Sequence, residues 1–158
     1  ANTDLLKFSL SALETAGTSG IASTATNFVD LNDGTDATAA LAVAFNDAAG
    51  GATAINASAE LLIKFTGTFA STSDLETALE VGGTDALSGV HADVAAGDAF
   101  LIAYSDGSNA YIASAVTTAG DDGAGGFVSG DLTINNLVQL TGDVALASAD
   151  YDDIAFIA

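Results

Sequence analysis

Cysteine, proline, methionine and tryptophan are absent from this chain of 158 residues, histidine occurs once, and only 2 residues are Lys or Arg. Without cysteine there is no disulfide framework, no thiolate zinc site and no cysteine nucleophile. The same absence suits an exported protein made without oxidative folding. The few basic residues stand against 21 Asp and Glu, a formal net charge of −19. That charge repels phosphate backbones and anionic membrane surfaces, so nucleic acid is not an expected partner. No apolar run approaches the roughly 20 residues of a membrane-spanning helix, so membrane insertion is not expected either.

What is present can fold. Hydrophobic types make up 49% and mean hydropathy is +0.44, unlike a disordered acidic tail. The length fits a single β-rich domain over residues 1–158. Most carboxylates lack a basic partner, and their mutual repulsion opposes compaction. Divalent cations, high salt or wide spacing must offset it. Calcium, a hard cation that takes carboxylate and carbonyl oxygens, is the expected cofactor, with a salt-rich habitat as the alternative.

Leu6, Phe8 and Leu10 alternate with Lys7 and Ser9, which predicts a strand over Leu5–Leu10. Asn27–Leu31 is a short strand running into the polar cluster Asp30–Asp36. Ala37–Ala49 is ambiguous: Leu41, Phe45 and Ala48 fit a helix closed by Gly50-Gly51, while Leu41, Val43 and Phe45 also alternate; the reading leans to helix. Glu60–Thr66 reads as a strand. Ser73-x-x-Glu76 has the form of a capping box that opens a helix over Asp74–Val81, closed by Gly82-Gly83. Ala99–Ser105 and Ala110–Thr117 form a hairpin around Asp106-Gly107-Ser108-Asn109. Leu132–Leu140 and Asp153–Ile157 are the last strands. The expected fold is mainly β, with β-sandwich-like antiparallel sheets and one or two short helices. Many of its side chains are small and each contributes little burial, about 0.8 kcal/mol per CH₂. Such a core gains when a neighbouring subunit completes it.

The two lysines occur in similar settings, Leu5-Leu6-Lys7-Phe8-Ser9 and Leu62-Ile63-Lys64-Phe65-Thr66. A solubilising Lys that deters edge pairing explains both; an ion pair across a subunit contact, or a Lys–Asn isopeptide crosslink, are the other readings.

The strand Asp98–Tyr104, an Asp-Gly turn, a second strand, the Gly/Asp stretch Ala119–Gly126, the segment Leu137–Gly142 and the tail Asp150–Ala158 follow one another in a fixed order. Over residues 60–158 this order resembles the C-terminal region of RTX-associated, type I secreted bacterial surface proteins. The resemblance implies an exported, surface-associated protein, neither toxin nor protease, with Asp153, Ile154, Phe156 and Ile157 in an uncleaved secretion signal. An ordinary final strand is the competing reading of the same residues. The Gly-Gly-x-Gly-x-Asp nonapeptide repeats that define RTX proteins are missing, so a calcium-stacked parallel β-roll is not expected. Ala1–Asp4 has neither the basic nor the apolar region of a retained signal peptide, and Sec export stays open.

Candidate metal ligands are Asp30, Asn32, Asp33 and Asp36 around Gly34, and Asp121 and Asp122 between glycines. They supply the oxygens and the turn glycine that calcium loops use, though not in EF-hand order; Asx-rich turns are the competing reading. Asp150, Asp152 and Asp153 form a further acidic group. His91 beside Asp93 reads as a structural or surface histidine, since no Gly-x-Ser-x-Gly elbow exists to complete a triad. One His without Cys does not make a zinc site. No phosphate loop or dinucleotide fingerprint is present.

The sequence therefore predicts an extracellular or cell-surface structural protein, not an enzyme: a self-assembling subunit of a filament, sheath or S-layer, stabilised by calcium, whose partner is another copy of itself. Within residues 1–13, Leu6, Phe8 and Leu10 would form a donor strand added to a neighbour's sheet edge; pairing within its own domain is the simpler alternative. The rival is an adhesin or carbohydrate-binding module with a cell-surface polysaccharide as partner. It needs an exposed aromatic patch, for which the tyrosines are Tyr104, Tyr111 and Tyr151.

Overall fold

The computed structural model describes residues 6–9, 27–29, 31, 34, 45–48, 53–54, 62–119, 125–142 and 154–157; at residues 6, 27, 45–48, 53–54, 62–64, 66 and 154–157 the description covers the backbone alone. The elements are β1 (Leu6–Ser9), β2 (Asn27–Phe28), β3 (Phe45–Ala48), β4 (Thr53–Ala54), β5 (Leu62–Thr68), α1 (Thr72–Leu79), β6 (Leu87–Ser88), β7 (Asp98–Ser105), β8 (Asn109–Thr117), β9 (Leu132–Thr141) and β10 (Ile154–Ile157). The chain is mainly β with one short helix among the described residues, and that helix is not long and apolar enough to cross a membrane.

The main sheet has the order β3-β5-β7-β8-β9, and β2 pairs with the first two residues of β7. It is mixed, which corrects the expectation of antiparallel sheets. β3, β5 and β7 run parallel, while β7, β8 and β9 form an antiparallel meander. A parallel pair needs a crossover, and residues 69–97, including α1, supply it between β5 and β7. Phe45–Ala48, expected to end a helix, is strand β3. There the alternating pattern prevails over the helical one, because β3 lies in register along β5, from Phe45 opposite Leu62 to Ala48 opposite Phe65.

The central strands carry apolar side chains at both alternations, and β7 and β8 are buried on both faces. One face holds Phe100, Ile102 and Tyr104 of β7, Ala113 and Ala115 of β8, Leu132 and Ile134 of β9, and Phe65 of β5. Leu75, Ala78 and Leu79 of α1 join this core with Phe127. Phe100 and Phe127 stack at 6.0 Å and 12°, both fully buried. The other face presents Ala99, Leu101, Ala103, Ile112 and Val116, at most 2% exposed.

Helix α1 starts earlier than expected, and its cap is Ser71 rather than Ser73. Ser71 Oγ accepts from the Asp74 N–H (3.1 Å) and donates to Asp74 Oδ2 (2.9 Å), so Asp74 takes the reciprocal position. Glu76 is thereby free to reach β9. The helix ends at Leu79 with Glu80 as its C-cap, two residues before the expected Val81, and Gly82-Gly83 follow in the turn, where the Gly83 N–H donates to the Glu80 carbonyl. A Cβ at Gly83 would lie 2.3 Å from the carbonyl oxygens of Thr77 and Ala78, so only glycine fits this approach.

The β7–β8 hairpin forms as the sequence indicates, with Ser105 opposite Ala110. At the margin of the chain's smaller sheets, β1 lies parallel to β10, from Leu6 opposite Ile154 to Ser9 opposite Ile157. The strand read as a donor is thus paired along one edge with its own chain, in a two-stranded sheet.

Candidate functional site

Five of the described carboxylates, those of Glu76, Glu80, Asp98, Asp106 and Asp131, accept from the chain's own N–H groups. Asp98 Oδ2 accepts from the Ala95 N–H (2.7 Å), and the Asp98 N–H donates back to the Ala95 carbonyl (3.1 Å). Asp131 repeats the device: its Oδ2 accepts from the Val128 N–H (3.1 Å) while its own N–H donates to the Val128 carbonyl (3.0 Å). In each turn a glycine with positive φ precedes the Asp, Gly97 at 95° and Gly130 at 90°. The four-residue patterns Ala95-Ala96-Gly97-Asp98 and Val128-Ser129-Gly130-Asp131 therefore encode the same turn before a strand.

Asp106 organises the hairpin tip. Its Oδ1 accepts from the N–H groups of Ser108 and Asn109, both at 2.7 Å, and its Oδ2 accepts from the Tyr111 hydroxyl at 2.7 Å. The Tyr111 hydroxyl first, then the two N–H groups, hold the Asp106 carboxyl down at about 2. The same bond to Asp106 raises the Tyr111 phenol, and burial raises that of Tyr104. Tyr104 and Tyr111 stack at 5.1 Å and 20°, and the Tyr104 hydroxyl donates to Asn136 Oδ1 on β9 (2.8 Å). Tyr104 is buried and Tyr111 half-buried, so the pair packs inward instead of forming an exposed platform.

Two glutamates tie α1 to β9 and the loop before it. Glu76 Oε1 accepts from the Ile134 N–H and Glu80 Oε1 from the Gly130 N–H, each at 2.7 Å. Sequence inspection missed both roles, since the bonds span 58 and 50 residues.

His91 lies in a turn with Asp93. The Asp93 N–H points to His91 Nδ1 at 3.3 Å, and a carboxylate oxygen of Asp93 lies 3.6 Å from the same nitrogen. The His91 N–H donates to the Leu31 carbonyl (2.8 Å). A Cβ at Gly34, whose φ is +70°, would meet Asp93 Cβ at 2.7 Å. The turn at 91–93 therefore packs against the middle of the sequence segment that carries Asp30, Asn32, Asp33 and Asp36. Those four residues, with Asp121, Asp122, Leu10, Asp153 and Tyr151, lie outside the described residues, as do the side chains of Leu6, Ile154, Phe156 and Ile157. Among the described residues no three acidic or histidine side chains converge as a metal site would require.

The remaining feature is the margin of the main sheet. β9 carries no charged residue over Leu132–Thr141, and a bulge at Leu137, between the pairs Ile112–Val138 and Ala113–Asn136, divides it. Glu76 covers the first part. The second part, with Leu137, Val138 and Leu140 partly exposed, is uncovered by any described residue. No protein-family model, curated protein or solved structure gives a significant match to this chain.

Proposed function

We propose that this chain is a self-assembling structural subunit of an extracellular or cell-surface filament, sheath or layer, stabilised by calcium. The observation that carries the proposal is the uncharged outer edge of β9, uncovered beyond Glu76 among the described residues, in a chain of net charge −19. An open strand edge is a template for pairing with another chain. Like-charged copies can approach only where neither presents carboxylates, and this edge meets that condition. The acids bound to turn N–H groups support a structural use of the charge. Burial of the second sheet face supports a sandwich-like second layer. The export part of the proposal rests on the resemblance carried by residues 60–158. The calcium part rests on the sequence pattern of Asp30, Asn32, Asp33 and Asp36 around Gly34. The rival carbohydrate-binding reading is weakened by the inward stacking of Tyr104 on Tyr111.

Negative-stain imaging of the purified chain with millimolar calcium tests the proposal: polymers are expected, and a persistent monomer refutes it. The calcium part has a separate check. Extracellular calcium modules bind at about 10⁻⁴–10⁻³ M, and ten times that concentration adds roughly 1.4 kcal/mol per site. A melting temperature that calcium does not raise against an ionic-strength control removes calcium and leaves salt as the shield.

A further inference from the structure

The alternation of β8 decides which way the peptide groups of β9 point. The carbonyls of Asn109 and Thr117 accept from Asp106 and Gly97, on the β7 side. The odd-numbered residues of β8 therefore face β7, and Ala110, Ile112, Ser114 and Val116 face β9, opposite Leu140, Val138, Asn135 and Thr133. The peptide groups of Gln139 and Thr141 accordingly point away from the sheet, as the N–H of Ile134 does toward Glu76. Among the described residues nothing bonds to the outer edge of β9 beyond Glu76.

We propose that a second copy of this chain pairs there, β9 against β9, antiparallel about a two-fold axis through Leu140. Gln139 of each copy then exchanges main-chain bonds with Thr141 of the other, and the two Leu140 side chains face each other in the non-hydrogen-bonded position between. Charge selects this occupant. An oppositely charged partner is drawn to the carboxylate-bearing surfaces, and an acidic one is repelled everywhere except at a neutral strand. Of the other described edges, β3 contains Asp47 and β1 contains Lys7, while the uncharged β4, β6 and β10 are 2, 2 and 4 residues long in two-stranded sheets, against the 10 residues of β9 at the margin of the main sheet. A two-fold contact is self-complementary, so one neutral edge suffices for both sides. The inference rests on the self-assembly reading and supplies its first contact.

The chain has no cysteine, so single cysteines report pairing directly. The full chain is studied in about 1 M NaCl, where the Debye length falls to ~3 Å. Leu140→Cys is expected to form a covalent dimer under mild oxidation, because residues facing in a non-hydrogen-bonded pair lie about 4.5 Å apart, inside the range a disulfide bridges. Val138→Cys is expected not to, since the two copies of residue 138 are then offset by four residues, roughly 13 Å. Gln139→Pro removes an outward N–H while leaving the bonds to β8, and is expected to weaken the dimer at least tenfold by sedimentation equilibrium without lowering the melting temperature. If the wild type self-associates but Leu140→Cys fails to crosslink and Gln139→Pro associates normally, the β9 contact is overturned and self-assembly stands. A wild type that stays monomeric at millimolar concentration overturns both.

Discussion

Replacing Glu76 probes the join between helix and sheet margin. The Glu76 carboxylate accepts from the N–H of Ile134, a residue only 4% exposed, at 2.7 Å. A hydrogen bond to a charged group is worth about 1.5–3 kcal/mol net, and a buried N–H left without a partner costs a similar amount. Glu76→Ala should therefore destabilise the fold, less the few tenths of a kcal/mol by which alanine improves a helix over glutamate. It also removes one of 21 acids, which relaxes repulsion and works the other way. Urea unfolding in about 1 M NaCl screens that second effect. The net loss expected for Glu76→Ala is about 1–2.5 kcal/mol, or a melting temperature lower by about 2–4 °C per kcal/mol for a chain of this size.

Glu76→Gln separates charge from geometry. It keeps a neutral acceptor in place and should lose only about 1 kcal/mol, since charge-assisted bonds are roughly twice as strong as neutral ones. The order wild type, Gln, Ala is thus the signature of an acceptor at this position. An alanine variant as stable as the glutamine variant at high salt, with unchanged m-value, would falsify the assignment of Glu76 to the β9 edge.

Ser114 is fully buried on β8 and its Oγ has no hydrogen-bond partner, so Ser114→Ala should stabilise by about 1 kcal/mol in denaturant melts; a loss of stability means that the hydroxyl is satisfied. The Asp106 carboxyl lies below its ordinary 3.8, so its contribution to stability is complete above 3.8 and declines as pH falls toward about 2. Tyr111→Phe removes the largest cause, and the Asp106 midpoint followed by NMR should rise toward 3.8; an unmoved midpoint refutes the role of the hydroxyl. Phe127 is fully buried and stacked on Phe100, so Phe127→Ala should cost about 3–5 kcal/mol, and a cost under 1 kcal/mol would show that the loop carrying it is not part of the core.

The features legible in the sequence are the local ones. The β7–β8 hairpin announces itself through Asp106-Gly107 between two apolar runs, and the helix through the Gly82-Gly83 pair in the turn that follows it. The cap was misplaced by two residues because Ser71-x-x-Asp74 and Ser73-x-x-Glu76 overlap, and only the contact of Glu76 with β9 decides between them. β3 illustrates the opposite limit: Leu41, Val43 and Phe45 satisfy one period while Leu41, Phe45 and Ala48 satisfy the other, and the strand β5 beside it settles Phe45–Ala48. Parallel pairing of β5 with β7 leaves no local signal, since it depends on a crossover. The candidate edge was half legible. The neutrality of Leu132–Thr141 is written in the sequence, but its place at the sheet margin follows from strand order alone.

Composition alone points to divalent cations, high salt or wide spacing as the offset to a charge of −19. The described acids show a nearer source of relief. At Asp98, Asp106 and Asp131 the carboxylate sits where peptide N–H dipoles converge, in turns that glycine makes possible. Glu76 and Glu80 do the same across longer distances. A bound N–H gives a carboxylate oxygen a hydrogen-bond partner without adding a formal positive charge, so these residues need no lysine or arginine beside them. The dipole falls off faster with distance than a charge, however, and leaves the repulsion between separate turns in place. Cations or salt then have to act on that long-range remainder, with exposed acids such as Asp74 and Asp93 the first to be screened. Backbone caps therefore secure each turn on its own, while the compactness of the whole, and the approach of a second copy at β9, depend on the ions outside.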